Sequence, residues 1–353
     1  MKTLLMMPIY LIQVFTQTKS FAKNPVLGNT FLNRCGLHVA RVVLAHAVMR
    51  FRMFLLSGDV DACQRRAFHR DGFMVIHNFL PAEEFDALKA EIEAADAEVR
   101  ECVQGDTLTH RIMLDPPTLA AMPATGAVLD KPELRQLLRF AAGRFTPPIS
   151  YIQTIRNHYT EGAPDPQKNL HSDTFHATMK SWFFIDDVDE RNGPFTYVPG
   201  SQRLTLSRLR WEYRKSIEIS SGSDRYSGNG SLRLTPADAE EMGFPAPKAL
   251  KVAANTLVVA NTHGFHCRGN ASERSTRTEL WTISRNSPFN PLPGMDFPLF
   301  NRLQYAALDR WRRFLDQRAA SKGQQSSWHV IEARNTLAPM AGVDASSDLI
   351  RRP

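Results

Sequence analysis

His171-Ser172-Asp173, taken with His266 and Arg277 further along the chain, decides how this sequence is read. In an extended strand, residues two apart point to the same face, so His171 and Asp173 can aim at one point. His266 ends the apolar run Thr256-Leu-Val-Val-Ala-Asn-Thr-His-Gly-Phe-His266, which reads as a buried strand closing at a polar turn. Arg277 opens a further strand, Thr278-Glu-Leu-Trp-Thr-Ile283. Outward from these pieces, short β-branched and aromatic runs recur at 149–159, 179–188, 194–198, 250–259 and 278–284, broken by Gly, Pro and Asn. Short strands at that spacing predict a mainly β chain with a double-stranded β-helix core, the jelly roll or cupin-like arrangement. A helical flank precedes it: a strand over 72–77, then a helix over 81–102 with Phe85, Leu88 and Ile92 as its apolar stripe. A turn-rich stretch over 105–117 and a helix over 131–145 follow.

Two imidazoles and a carboxylate converging from two strands form the ligand set of a non-haem Fe(II) site, which leaves positions open for a co-substrate and O2. A guanidinium at Arg277 would grip a distant carboxylate by a bidentate pair, which a lysine does less well. Each residue alone has a plainer reading. His266 would be an ordinary strand histidine, and Arg277, with Arg274 and Arg285 nearby, a surface ion-pair partner. His263, His158 and His176 compete as ligands, although His263 falls on the opposite strand face from His266 and His176 belongs nearer a substrate.

The pieces also stand in a recognisable order. Phe68-His-Arg-Asp-Gly-Phe-Met-Val-Ile76 and Asn78-Phe-Leu-Pro81 come first. His171-Ser-Asp173, Trp182-Phe-Phe-Ile-Asp-Asp-Val188, Asn192-Gly-Pro-Phe-Thr-Tyr-Val-Pro-Gly-Ser201, His266 and Arg277 follow. Over residues 66–288 this set resembles the phytanoyl-CoA dioxygenase family of Fe(II)/2-oxoglutarate-dependent dioxygenases. The resemblance implies iron on His171, Asp173 and His266 as the catalytic centre. It implies 2-oxoglutarate chelating that iron with Arg277 on its far carboxylate, Trp182 walling its pocket, and O2 as second co-substrate. Gln153 and Asn157, on the strand before His171, are expected to hydrogen-bond its C1 carboxylate. The implied reaction is hydroxylation of a C–H bond in a small-molecule or lipid-like substrate. The same site could serve desaturation or ring formation, and a jelly roll that binds a ligand or metal without turnover is the alternative from another class. Halogenation is disfavoured, because chloride needs the iron position that Asp173 takes. Two departures from the family stand out: Gln202 follows Pro-Gly-Ser where the family often has His, and Ala254-Asn255 replaces a Gly-Asp.

The net charge of +7 sits in the first 58 residues, which hold Lys2, Lys19, Lys23, Arg34, Arg41, Arg50 and Arg52 and no acidic residue. A near-neutral remainder excludes a nucleic-acid-binding core. Four cysteines without CxxC spacing read as thiols of a cytoplasmic protein. The apolar run over 4–15 is too short to span a bilayer. Residues 34–56 read as a basic amphipathic helix with Arg34, His38, Arg41 and Arg52 on one side. That helix would lie in the inner face of an anionic membrane, or pack on the core with its basic edge in solvent. The expected organisation is an N-terminal extension over 1–58, a dioxygenase domain over 59–288, and a helix with a loose tail over 289–353. Within the domain, 59–148 form the flank, 149–288 the jelly roll, and 203–248 a basic, lid-like insertion. Attraction of 203–233 and the N-terminus for an anionic amphiphile, such as an acyl thioester, would follow.

Overall fold

The computed structural model describes residues 5–338 apart from Asp59, Ser223 and Asn286; Lys2 and the end of the C-terminal tail lie outside them. The strands are β1 (Phe73–Ile76), β2 (Val99–Gln104), β3 (Thr107–Met113), β4 (Ile149–Asn157), β5 (Met179–Phe184) and β6 (Phe195–Tyr197). After them come β7 (Lys248–Ala249), β8 (Thr256–Asn261), β9 (His266–Arg268), β10 (Ser275–Ser284) and β11 (His329–Val330). An eight-stranded antiparallel sheet runs β1-β8-β5-β10-β4-β3-β2-β11, and a three-stranded sheet runs β7-β6-β9. These are the two walls of the jelly roll expected from the strand pattern.

Alternation along the large sheet separates structure from chemistry. In β5, Met179 and Phe183 face outward into a core with Leu88, Ile92, Leu138 and Phe140 from the flanking helices. Trp182 and Phe184 face inward and pack with Phe195 and Tyr197 of the small sheet. The same split holds in β8, with Leu257 and Val259 outward and Val258 and Ala260 inward. The chain passes between sheets at 262–265, where Gly264 is needed because a Cβ would collide with the Tyr197 hydroxyl.

Four expectations are corrected. The helix over 81–102 ends at Glu93, and β2 and β3 form a hairpin through Gly105-Asp106 where turns were expected. Gly105 has φ +58°, the left-handed conformation that such a turn requires. The tail is not loose where it is described, since β11 pairs with β2 at the sheet edge and Thr336 is buried. The basic side of the helix Leu37–Leu55 faces inward: His38, Arg41 and Arg52 are buried, while Val43, Leu44, Phe51 and Phe54 are exposed. Of the four residues expected on that side, Arg34 remains exposed. Finally, the helix Leu206–Ser220 of the insertion packs on that N-terminal segment by its buried Arg208, Trp211 and Glu212. Cavity lining within the insertion falls to Tyr226, Asn229, Ser231 and Arg233. No helix among the described residues is long and apolar enough to cross a membrane.

Both departures from the family pattern have local explanations. Gln202 donates to the carbonyl of His69 (3.0 Å) and so ties the end of the helix Ala62–Asp71. Asn255 adopts φ +59°, and its amide exchanges hydrogen bonds with Leu80 N (2.9 Å) and Leu80 O (2.8 Å). Asn tolerates that conformation better than most side chains do.

Candidate metal centre and its cavity

His171 lies directly opposite His266: the two residues exchange both backbone hydrogen bonds (2.9 and 3.0 Å) as an antiparallel pair extending the small sheet. Asp173 N donates to Thr262 O (3.0 Å), which fixes the same extended segment two residues on. Cross-strand pairing puts the two imidazoles on one face, with ring centroids 4.7 Å apart. Asp173 Oδ1 stands 3.8 Å from Nε2 of each histidine. The three donor atoms lie within 4.8 Å of one another, the arrangement of a metal-holding group.

Second contacts aim the donors. His171 Nδ1 donates to Asn169 O (2.8 Å) and His266 Nδ1 to Gly264 O (2.9 Å), so each Nε2 carries the free lone pair. His266 Nε2 is buried without a hydrogen-bond partner. Burial pushes both imidazoles down, His266 to about 4, so they are neutral at neutral pH. Burial alone would raise the Asp173 carboxyl, but the Lys180 ammonium beside it leads the charges that outweigh burial and hold it well below the usual carboxylate range. A divalent ion therefore meets two neutral nitrogens and an ionised oxygen, and the donor set fits.

Lys180 was not singled out from the sequence. Its Nζ lies 2.7 Å from Asp173 Oδ2, the oxygen turned away from the histidines. The signal was available, because Lys180 is two residues before Trp182 and shares its strand face. Lys19 was missed too: its Nζ donates to the backbone carbonyl of Asp173, bringing the N-terminal extension onto the site. No local pattern marks it.

The centre opens into a cavity of about 1040 Å³ between the sheets. Trp182 lines it and stacks on Phe195 at 4.2 Å. Gln153 lines it, accepting from Arg111 Nε (2.7 Å) and donating to Glu279 Oε1 (2.5 Å). Arg277 lines it, its Nε donating to Glu279 Oε2 (3.1 Å) and its Nη1 to the carbonyls of Asn192 (3.3 Å) and Gly193. Asn157 does not: its amide donates to Asn192 O (3.1 Å) and Ser275 Oγ (3.3 Å), away from the cavity wall. Of the competing histidines, His263 donates to Thr174 O (2.9 Å) and packs on His46, and His158 meets Asp106 (3.1 Å). His176 lines the cavity with Nδ1 on Ala177 O (3.1 Å).

No curated protein matches the chain in sequence. Solved structures that are similar include the non-haem α-ketoglutarate-dependent epimerase SnoN of nogalamycin biosynthesis, at 16% identity and TM-score 0.40, covering 63% of this chain and 81% of that one. HygX from Streptomyces hygroscopicus with nickel and 2-oxoglutarate bound is 17% identical with TM-score 0.41, covering 64% and 86%. The α-ketoglutarate-dependent carbocyclase SnoK is 16% identical with TM-score 0.40, covering 65% and 84%. The phytanoyl-CoA dioxygenase family model matches residues 68–237, a span that holds His171, Asp173 and Trp182, while His266 and Arg277 are brought to them by the pairing of β9 and β10. Residues 68–237, just under half of the chain, thus match the phytanoyl-CoA dioxygenase family.

Proposed function

We propose that this chain is an Fe(II)- and 2-oxoglutarate-dependent dioxygenase that hydroxylates a C–H bond of an organic, small-molecule or lipid-like substrate. The observation that carries the reading is the backbone-paired His171 and His266 with Asp173 Oδ1 3.8 Å from each Nε2. These three residues would hold the iron, which supplies, with 2-oxoglutarate and O2, the oxidising power to break a C–H bond. The protein's own residues bind and orient. Lys180 holds Asp173 ionised and turned so that Oδ1 faces the imidazoles. Arg277, pre-aimed by Glu279, would take the far carboxylate of the keto-acid, and Gln153 borders the same space. The Trp182–Phe195 stack keeps water from one side of the centre.

Fe(II) binding to the purified full chain, measured anaerobically, and succinate release from 2-oxoglutarate test the reading. His171→Ala, Asp173→Ala and His266→Ala should each lose turnover by more than about 100-fold, beyond the loss typical of outer contacts. Fe(II) binding should weaken while the circular dichroism spectrum is kept. Unchanged Fe(II) binding in Asp173→Ala, or no 2-oxoglutarate consumption by the wild-type chain over acyl, sterol and amino-acid-derived substrates, would overturn it.

A further inference from the structure

We propose that Arg111 anchors an oxyanion, carboxylate or phosphate, carried by the substrate, forming a second anion subsite on the cavity wall that holds Arg277. The proposal deepens the reading above and rests on it for the place of 2-oxoglutarate.

Four side chains run in a row across the inner face of the large sheet. Arg111 of β3 pairs in register with Gln153 of β4, and Gln153 with Glu279 of β10. Arg111 Nε donates to Gln153 Oε1, Gln153 Nε2 to Glu279 Oε1, and Arg277 Nε to Glu279 Oε2. Each arginine is tied at Nε to the middle of the row, but their charges are treated differently. Glu279 neutralises Arg277. Arg111 meets only a neutral amide, and no carboxylate among the described residues lies within 4.0 Å of its nitrogens.

A cation set into a protein wall without a counterion is costly. What stands in for one here is aromatic: the Arg111 guanidinium carbon lies 3.9 Å from the Trp281 ring centroid and 4.3 Å from that of Trp328. Indole faces attract a guanidinium but leave its hydrogen-bonding edge unspent. Burial lowers Arg111 to about 9, so it remains charged at neutral pH. The surroundings add to the demand for an anion. Lys19, Lys23, Arg233 and Arg285 also line the cavity, and Asp173 is the one acidic residue among its described lining.

2-Oxoglutarate cannot fill this subsite together with the centre. One of its carboxylates would be spent at the metal and the other on Arg277, two strands over and two residues along from Arg111, or about 12 Å at the backbone. The oxyanion on Arg111 must therefore come from another molecule, and the cavity that joins Arg111 to the centre is where the substrate goes. Trp328 reaches the subsite from the segment after the long C-terminal helix, held by β11 on the sheet edge.

The test uses the full chain saturated with Ni(II) and 2-oxoglutarate, so that no turnover occurs, and decanoate, decyl phosphate and decan-1-ol as probes. Binding is read by equilibrium dialysis and by tryptophan fluorescence, since two indoles flank Arg111. Decanoate or decyl phosphate should bind saturably without displacing 2-oxoglutarate, and decan-1-ol should not; which of the two binds more tightly identifies the oxyanion. Arg111→Met should weaken that binding by about tenfold or more, with Arg111→Lys intermediate and both variants melting near wild type. Equal binding of the alcohol, no binding of either anion to wild type, or an Arg111→Met chain that binds as wild type would overturn the proposal. Loss of 2-oxoglutarate binding in Arg111→Met would overturn it as well, by making Arg111 a co-substrate residue. Failure of wild type to bind Ni(II) and 2-oxoglutarate is read separately in the same dialysis and counts against the dioxygenase reading instead.

Discussion

Arg277 is fastened before any ligand arrives, by Glu279 at Nε and by two backbone carbonyls at Nη1. A planar fork held in this way loses little freedom when it grips a carboxylate, whereas a lysine would present a point charge on a flexible stem. Arg277→Ala should raise the 2-oxoglutarate concentration for half-maximal succinate release by about 10-fold or more, with Fe(II) binding little changed. Arg277→Lys should recover part of the loss. An unchanged 2-oxoglutarate dependence would pass the role to Arg268, Arg274 or Arg285. At this scale the placement was readable where residues carry both a type and a spacing: His171, Asp173 and His266 converge, and Arg277 lines the same cavity. Asn157 was misplaced because strand alternation gives a face but not what a short amide finds there. Its partners, Asn192 and Ser275, lie far along the chain.

The elements show a different limit. The strands that build the two walls announced themselves by β-branched and aromatic runs, yet the β2–β3 hairpin did not. Its residues Val99–Met113 include Arg100, Glu101, Gln104, His110 and Arg111, a polar set that no hydrophobic period betrays. Missing the hairpin meant missing Arg111. The helix Leu37–Leu55 misled in the opposite sense, because its basic residues serve the interior. Arg41 donates to the carbonyls of Val14 (2.8 Å), Thr16 (3.1 Å) and Thr18 (2.7 Å), and His38 Nε2 lies 2.8 Å from the buried Glu212. Met49 and Met53 on the same helix join the main core. Removing residues 1–56 should therefore give insoluble or unfolded protein, and Met53→Ala alone should cost roughly 2–5 kcal/mol in urea unfolding. A truncated chain that stays soluble and melts as wild type would show that the extension is dispensable. Of the basic side chains expected to meet anionic lipid, His38, Arg41 and Arg52 are committed to Glu212 and backbone carbonyls, while Lys23, Arg34 and Arg50 stay exposed, and sedimentation with anionic vesicles decides whether that surface meets lipid.

On the scale of the whole molecule, the N-terminal segment, the insertion and the turn carrying His266 meet at a buried histidine pair. His46 and His263 stand edge to face with centroids 4.4 Å apart, and each Nε2 is buried without a partner. Arg208 and Glu212 are the charges that bear on the pair. Burial pushes both imidazoles down, His46 to about 4 and His263 well below the ordinary 6.5. His176 at the cavity wall moves the same way, to about 3. Between roughly pH 6.5 and 4 the unfolded chain thus binds protons that the folded chain refuses, so stability is complete above about 6.5 and declines as the pH falls. Glu212 adds to the decline at lower pH: burial would raise it, but Arg208 and His38 hold it well below 4.5, so its contribution is lost as pH falls from there. For His46 the shift corresponds to at most roughly 3 kcal/mol. In the metal-free chain the urea midpoint should drop from pH 7 to pH 5, and His46→Phe, which removes one of the titrating rings, should flatten that slope. A midpoint that holds steady or rises over this interval would mean that the pair is not the junction that couples these three segments to acid.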